Sequence, residues 1–381
     1  MAPACRTAGA SVVCLVVEAP NRRLPRWGRH PTLSGTVDPL RSIRRVMTAF
    51  ELYLKRNAKK FDAYLARFFK DGTHEDMGRY LYRLLADYTA NAGKRHRPLI
   101  CMLAAEAVGG DPERARTSAA AIEHFHTAAL IHDDIMDSSL TRRGVPCLHV
   151  TEGEALAINA GDLALALVTG TVVGDDTLEP DVRLRVLREL VDMTTRTIEG
   201  QALDIGWARD DRFNLTVDDY LVMATHKTAF YSGAVPLAIG AIAGGGTDEQ
   251  VAALRAFGEA TGLAFQIQDD VLNLVGTREA TKKDFRSDVT EGKRTLAAVH
   301  ALEHSGRRER LLEILASRTE DPALLEEAVT IMRESGSIEF ARSYAREIVL
   351  TAQADLKAAL PKSKARDLLL SMADFFVERD S

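Results

Sequence analysis

The chain has 381 residues, of which 46% are apolar and 27% charged, a composition typical of soluble globular proteins. Its net charge of −5 and its pI near 6.1 argue against nucleic acid as the main partner. The four cysteines show no paired spacing, which favours a reduced, cytoplasmic setting without structural zinc. No apolar run reaches the roughly 18 residues needed to span a bilayer, so no membrane span is predicted.

Residues 1–45 differ from the rest of the chain. They carry eight arginines against two acidic residues, without a persistent helical or strand period. The apolar run at 10–17 is followed by the arginines and lacks a strong basic leader, which argues against a signal peptide. We expect a disordered N-terminal extension, or a translation start at Met47; an organelle-targeting segment is the alternative.

From Met47 onward, apolar residues recur with helical period almost everywhere. Thr216 and Asp219 predict a capped helix start, and the stretch GGGTDEQ at 244–250 predicts another. The run at 161–173 is apolar nearly all round and predicts a buried helix. No strict alternation is present, so no sheet is predicted. The expected fold is all-α, with residues 46–381 forming a single-domain bundle of ten or more helices.

Two carboxylate clusters end apolar helical segments: DDIMD at 133–137 and QIQDDVLN at 266–273. Positions i and i+4 share a helix face, so Asp133 projects with Asp137, and Asp269 with Asn273. A solvated acidic face is the simpler alternative, but the apolar flanks argue against it. Like charges in such places are stable only when neutralised or bound to a cation. Oxygen ligands without histidine or thiolate suit Mg²⁺ shared with phosphate.

Four basic motifs complete the set: GKRHRP at 93–98, RRG at 142–144, HKT at 226–228 and GKRT at 292–295. Arginine binds phosphate through two parallel hydrogen bonds, and lysine supplies a point charge. No GxxxxGK[ST] loop is present, so nucleotide hydrolysis of the P-loop type is unsupported.

Together with GQALD at 200–204, these motifs occur in an order that resembles the trans-isoprenyl diphosphate synthases. The resemblance runs from about residue 50 to the C-terminus. It implies the isoprenoid synthase fold with a central cavity, a homodimer, and a prenyltransferase. In this reaction an allylic diphosphate ionises and the double bond of isopentenyl diphosphate attacks the cation.

The resemblance also implies roles for individual residues. Three Mg²⁺ ions would be bound, two by Asp133 and Asp137 and the third by Asp269. The allylic diphosphate would be held by Arg142, Lys227 and Lys293. Three residues would contribute to catalysis by placing oxygen dipoles near the cation. These are Lys227, through its backbone carbonyl, and Thr228 and Gln266, through their side chains. Isopentenyl diphosphate would be held by Lys94, Arg97, His126 and Arg143. Asp204 would support a metal-bound water. Asn273 departs from the family's usual aspartate, removing one charge but keeping an oxygen acceptor.

Product length is expected to depend on the helix that carries Asp133. Family members that stop at fifteen carbons have aromatic residues four and five positions before this aspartate, where this chain has Ala129 and Ala128. Phe125 is the next large residue, which deepens the pocket by about 4–5 Å, close to one isoprene unit. We therefore predict geranylgeranyl diphosphate (C20), provided that Met102 and Leu103 do not close the channel.

Several alternatives remain open at this stage. They are a C15 or C25+ product, a terpene synthase on the same scaffold, an inactive subunit of a heteromeric synthase, and a structural helical protein. A terpene synthase needs no second diphosphate site, and an inactive subunit would have lost aspartates of the first motif.

Overall fold

The computed structural model describes residues 47–69, 72–91, 93–276 and 286–378. The predicted extension at 1–45 lies outside the described residues. The described part is an all-α unit, as predicted. Its fourteen α-helices of at least eight residues are α1 (Ala49–Leu65), α2 (Arg83–Ala90), α3 (His96–Ala107), α4 (Arg116–Met136), α5 (Glu154–Val173), α6 (Pro180–Arg209), α7 (Val217–Ala224), α8 (Val235–Ala243), α9 (Asp248–Val275), α10 (Leu296–His304), α11 (Arg308–Ser317), α12 (Pro322–Glu334), α13 (Ser337–Ala359) and α14 (Lys364–Glu378).

Shorter elements connect these helices. Three are single α-helical turns or little more: Glu75–Met77, Leu148–Glu152 and Ser287–Thr290. Two are 3₁₀ turns, Ala66–Phe68 and Pro112–Ala115. Two are π-helical, Gly78–Tyr82 and Thr225–Ala234. The second π segment joins α7 to α8 without a break, and Pro236, which has no N–H to donate, follows just after it.

The predicted helix starts are confirmed in atomic detail. The hydroxyl of Thr216 accepts from the backbone N–H of Asp219 (3.2 Å), whose carboxylate accepts from the N–H of Thr216 (2.9 Å). Thr247 and Gln250 form the same reciprocal cap at the start of α9. Each pair satisfies two N–H groups that have no partner within the helix.

Helix α8 lies at the centre of the bundle. All nine of its residues are buried, and it contacts α3, α6 and α9. The π-helical segment before it packs on α6 and α9. At one point its backbone meets that of α9 directly, because a Cβ on Gly233 would lie only 2.1 Å from the carbonyl oxygen of Gly258. This close approach brings the side chains of the π-helical segment within reach of the second aspartate cluster.

Two sequence predictions were wrong. A small hairpin follows the first aspartate motif, with β1 (Thr141–Arg142) paired antiparallel to β2 (Val145–Pro146). Strands of two residues are too short to show the alternation on which strand prediction depends. The chain turns through Arg143 and Gly144, both at positive φ (53° and 84°).

The second error concerns α5, which is not buried all round. Its small residues Ala157, Ala160 and Ala164 pack against α4, but Ile158 and Val173 on other faces are exposed. Among the described helices, α5 alone is long and apolar enough to cross a membrane by length and composition. Hydrophobicity shows that a helix favours burial, but it does not show which neighbour covers each face. A large part of the apolar surface of α5 is not covered by the described residues.

Candidate active site

Two cavities lie on neighbouring faces of α9. The first, of about 620 Å³, is lined by carboxylates and cations, and the second, of about 370 Å³, by cations and aromatic rings. Gln266 lines the first cavity and the adjacent Phe265 lines the second. The two sets of residues that the sequence assigned to different diphosphates are thus gathered into two separate but adjoining spaces.

The first aspartate motif ends α4. Asp137 lies one turn after Asp133, and its N–H donates to the carbonyl of Asp133 (2.9 Å), so both side chains project from the same helix end. Partial burial, and then the charge of Asp133, raise the pKa of Asp137. Nε2 of Gln201 on α6 donates to Asp133 (2.8 Å). Gln201 belongs to the GQALD motif, but no role was predicted for it from the sequence.

The two lysines of the first cavity are each paired with carboxylates. Lys227 is paired with Asp204 on α6, and Nζ of Lys293 lies 2.9 Å from Glu291 and 3.2 Å from Asp288. Burial alone would lower the pKa of Lys227, but the carboxylates of Asp204 and Asp133 raise it above its usual value. Both lysines are therefore held fully protonated, as a diphosphate site requires.

Arg142 reaches the same cavity from the hairpin. Its Nε donates to Asp134 (2.5 Å), the second aspartate of the first motif, which is almost completely buried. Because one residue turns a helix by about 100°, Asp134 points away from the face shared by Asp133 and Asp137. Asp134 therefore orients an arginine at the rim of the cavity.

A chain of hydrogen bonds connects the π-helical segment to the second motif. Oγ1 of Thr228 donates to Oε1 of Gln266 (2.8 Å), and Nε2 of Gln266 donates to Asp270 (2.7 Å). Burial, followed by the charge of Asp288, raises the pKa of Asp270 to about 8. Because the Thr228 hydroxyl donates its hydrogen to Gln266, the lone pairs of its oxygen remain available to face a positive centre.

Asn273 serves the turn that follows α9. Its Oδ1 accepts from the N–H of Asp288 (3.2 Å), and its Nδ2 donates to Oγ of Ser287 (3.0 Å). These bonds hold the short helix Ser287–Thr290 against α9 and place Asp288 on the cavity wall. Asp288 was not predicted from the sequence, although it stands five residues before Lys293 of the GKRT motif.

The second cavity is lined by the four residues that the resemblance assigned to isopentenyl diphosphate: Lys94, Arg97, His126 and Arg143. Arg97 is buried and donates to Ser232 (2.8 Å) and Tyr231 (3.1 Å), and lies 3.3 Å from Nε2 of His126. Burial and the charge of Arg97 hold the pKa of His126 well below its usual range, so the imidazole is neutral near pH 7. The cavity is therefore cationic through its lysine and arginines alone.

The donor set of the first cavity fits Mg²⁺ only as a partner of phosphate. In residues 47–69, 72–91, 93–276 and 286–378, no three histidine, cysteine, aspartate or glutamate side chains converge on one point. Asp137 and Asp269 line the same cavity, and Asp133 adjoins Asp137. Mg²⁺ typically takes one or two carboxylates and completes its shell with water and phosphate oxygens. These separated carboxylates suit that arrangement.

Residues 79–332 match the family model described as polyprenyl synthetase. The chain belongs to the polyprenyl synthetase family. As a member of this family it is a prenyltransferase that acts as a trans-prenyl diphosphate synthase, and the sequence-based recognition is confirmed.

Relatives of this polyprenyl synthetase carry names that imply different product lengths. A short chain isoprenyl diphosphate synthase from Methanothermobacter thermautotrophicus is 42% identical over 290 residues, covering 76% of this chain and 87% of the relative. A geranylfarnesyl diphosphate synthase from Natronomonas pharaonis is 37% identical over 306 residues, covering 75% and 86%. Family membership thus leaves the product length undecided.

Solved structures match the fold over nearly their whole length. A geranylgeranyl pyrophosphate synthetase from Pyrococcus horikoshii superposes with a TM-score of 0.80 at 34% identity, covering 87% of this chain and 98% of that one. A geranylgeranyl pyrophosphate synthase from Corynebacterium glutamicum, complexed with isoprenyl diphosphate and magnesium, gives a TM-score of 0.75 at 27% identity, covering 88% and 100%.

The three residues predicted to govern product length lie in different surroundings in this polyprenyl synthetase. The Phe125 ring is buried and packs edge-on against Tyr231 (centroids 5.7 Å apart). Ala129 is half-buried, whereas Ala128 is completely buried in the cluster formed with the small residues of α5. Position 128 therefore determines how closely α4 and α5 pack, and only Ala129 of the two borders open space.

Proposed function

We propose that this polyprenyl synthetase joins isopentenyl diphosphate head to tail to an allylic diphosphate in the presence of Mg²⁺, and that its product is the C20 compound geranylgeranyl diphosphate. The observation that carries the proposal is the pair of adjoining cavities: the second is lined by cations without the aspartate motifs, and the first combines cations with aspartates of both motifs. Only the first cavity has the aspartates needed to bind Mg²⁺, so we assign it the diphosphate that is bound with Mg²⁺ and assign the second cavity the diphosphate bound without it.

In the first cavity the allylic diphosphate is held by Arg142, Lys227 and Lys293. Asp133, Asp137 and Asp269 would hold Mg²⁺, which when bound neutralises the charge that develops on the departing diphosphate. The oxygen of Thr228 and the carbonyl of Gln266 face the allylic carbon as it loses that group. Their dipoles stabilise positive charge without acting as nucleophiles.

In the second cavity isopentenyl diphosphate is held by Lys94, Arg97 and Arg143, with His126 as a neutral hydrogen-bonding group. Arg97 is already fixed by Ser232 and Tyr231 before substrate arrives. Such preorganisation lowers the entropy lost on binding. The allylic C–O bond breaks and the isopentenyl double bond attacks the allylic carbon, forming the new C–C bond and a new cation. A proton of the isopentenyl unit then passes to the departing diphosphate, and its C–H electrons form the new double bond.

The experiment is incubation of the full chain with labelled isopentenyl diphosphate, Mg²⁺ and dimethylallyl, geranyl or farnesyl diphosphate, followed by product identification. A linear C20 diphosphate supports both parts of the proposal. A linear product of another length overturns only the C20 assignment. A cyclic hydrocarbon formed without isopentenyl diphosphate would instead identify a terpene synthase, and the absence of any Mg²⁺-dependent product would overturn the reaction itself.

We further propose that the protein is a homodimer through α5 and α6. Four apolar residues spaced by seven along α6 are between 43% and 58% exposed: Leu184, Val191, Ile198 and Ile205. The exposed Ile158 and Val173 belong to α5, which contacts α6. A seven-residue apolar repeat is the pattern by which one helix packs along another, and two copies related by a twofold axis present the same seam to each other.

Sedimentation or light scattering tests the dimer. Ile198→Glu should shift the protein towards the monomer, whereas Leu350→Glu, which alters a comparably exposed leucine on α13, should not. A dimer that resists Ile198→Glu would place the interface elsewhere. We also propose a reducing, cytoplasmic location. Cys101 and Cys147, the two cysteines among the described residues, are buried free thiols, which supports it.

A further inference from the structure

We infer that Tyr88 and Tyr220 are positioning residues that fix the two aspartate motifs in matching ways. This inference rests on the proposed function, because it concerns how the first cavity binds Mg²⁺ and diphosphate. Neither tyrosine belongs to a motif that the sequence analysis identified, and neither lies on α4 or α9.

The first pair joins α2 to α4. Oη of Tyr88 donates to Oδ2 of Asp134 (2.8 Å), while Nε of Arg142 donates to Oδ1 of the same carboxylate (2.5 Å). Asp134 is almost completely buried, so these two bonds replace the water that its charge would otherwise require. Burial and the negative charge of Asp134 raise the pKa of Tyr88, which therefore remains a donor throughout the working pH range.

The second pair joins α7 to α9. Oη of Tyr220 donates to Oδ2 of Asp270 (2.8 Å), while Nε2 of Gln266 donates to Oδ1 (2.7 Å). Tyr220 is buried, and its burial and the charge of Asp270 raise its pKa well above the usual value. The pattern of the first pair is repeated: a tyrosine hydroxyl holds one carboxylate oxygen, and a substrate-site residue holds the other.

This repetition assigns different work to the two adjacent aspartates of each motif. The first of each pair, Asp133 or Asp269, is the one proposed to bind Mg²⁺. The second, Asp134 or Asp270, is rotated by about 100° and anchors the helix to a tyrosine of another helix. A hydrogen bond from the second aspartate to a tyrosine of another helix limits rotation of the helix end, and that rotation sets the direction of the metal-binding carboxylate beside it.

Each anchor also fixes a residue proposed to contact the allylic substrate. Asp134 orients Arg142, and Asp270 orients Gln266, which in turn accepts from Thr228 (2.8 Å). Loss of a tyrosine hydroxyl therefore disturbs metal and allylic binding together. The second cavity has its own supports, Ser232 and Tyr231 on Arg97, so we expect its ligand affinity to change little.

The test uses Tyr88→Phe and Tyr220→Phe in the full chain, because phenylalanine keeps the ring and removes only the hydroxyl. Calorimetry measures binding of farnesyl thiolodiphosphate, an analogue that ionises poorly, across a Mg²⁺ titration. A second titration measures isopentenyl diphosphate without Mg²⁺. We expect each variant to bind the analogue about ten- to a hundredfold more weakly at fixed Mg²⁺, as expected for one lost hydrogen bond to a charged group. Isopentenyl diphosphate affinity should stay within twofold of wild type.

Tyr64→Phe is the matched control. The Tyr64 hydroxyl also forms a side-chain hydrogen bond, to Thr117 (2.9 Å), but lies at the other end of α4. It should change neither affinity. Equal weakening of both ligands by Tyr88→Phe and Tyr220→Phe would indicate a general structural role and overturn the inference, as would unchanged binding of the analogue.

Two further readouts keep the outcomes separate. If a phenylalanine variant does not fold, Asp134→Asn or Asp270→Asn tests the same bonds from the acceptor side, and unchanged analogue binding there also overturns the inference. If wild type itself shows no Mg²⁺-dependent binding of the analogue, the proposed function fails, whatever the tyrosine variants do.

Discussion

Nδ2 of Asn273 donates a hydrogen bond to Oγ of Ser287 over 3.0 Å, and Oδ1 of the same side chain accepts from the N–H of Asp288. Asn273 therefore joins the end of α9 to the short helix that carries Asp288. The residue that departs from the family's usual aspartate is engaged in supporting the cavity wall.

Asn273→Asp should accordingly leave the Mg²⁺ dependence of turnover within about threefold of wild type. Aspartate can still accept from the Ser287 hydroxyl and the Asp288 N–H, so the turn is retained. The added charge near Asp270 and Asp288 should lower the free energy of unfolding by about 1 kcal/mol. The Mg²⁺ concentration for half-maximal turnover is the measurement, with Asp269→Asn as the positive control. A tenfold lower requirement in Asn273→Asp would make position 273 a metal ligand.

Gly200→Ala should disable the enzyme through Lys227. A Cβ on Gly200 would lie 2.2 Å from the backbone nitrogen of Lys227 and 2.7 Å from its Cα, so α6 and the π-helical segment must separate. We expect a loss of about 1–3 kcal/mol in the free energy of unfolding and a fall in kcat. Gly206→Ala on the same helix meets no atom within 4 Å and should be neutral or slightly stabilising. Similar activity of both variants would contradict the argument.

Phe125→Ala should lengthen the product. Phe125 is the large buried side chain on α4 beyond Ala129, and its removal opens space beside Tyr231. Truncation of a buried phenylalanine also costs about 3–5 kcal/mol of stability, so Phe125→Leu is a milder companion. Chromatography of the dephosphorylated products is the measurement. Phe340→Ala, which truncates a ring stacked on His300 far along the chain, should leave product length unchanged. A C20 product from Phe125→Ala would rule out this residue as the floor.

Acid should destabilise the fold through His124. This imidazole is buried between Phe68 and Phe69, and both its ring nitrogens lack hydrogen-bond partners among the described residues. Burial lowers its pKa to about 4 from a usual value of 6.5. Below pH 6.5 His124 is therefore protonated in the unfolded chain, whereas in the folded chain it is protonated only below about pH 4. The stability contributed by the neutral ring is complete above pH 6.5, and up to about 3 kcal/mol is lost as the pH falls to 4.

His124→Leu should remove that part of the pH dependence. Urea unfolding at pH 7.5 and pH 4.5 provides the comparison, with the exposed His74→Leu as control. The difference between the two pH values should shrink in His124→Leu only. If it matches wild type, acid destabilisation arises from other groups.

Much of the candidate site was predictable because its residues occur in short motifs. The basic residues assigned by resemblance to two different diphosphates line two different cavities. The motifs could be recognised because the charge of each side chain is known from the sequence alone. The helix starts at Thr216 and Thr247 were equally predictable, because a cap involves residues three positions apart and needs no distant partner.

The remaining assignments depended on contacts between helices that are distant in the chain. Tyr88 and Asp134 stand 46 positions apart, and Tyr220 and Asp270 stand 50 apart, so no local pattern links them. The exposed face of α5 was misjudged for a related reason, because hydrophobicity alone does not say which neighbour covers it.

Local patterns were enough to predict the all-α class, the two aspartate motifs and the cations that accompany them. Helix packing was needed to show that Asp134 and Asp270 are the aspartates bonded to tyrosines of other helices, and that Ala128 packs on α5 while Ala129 borders open space. The physical reason is rotational. Neighbouring residues on a helix differ by about 100° in direction, and only the packing of other helices determines which direction is the inside.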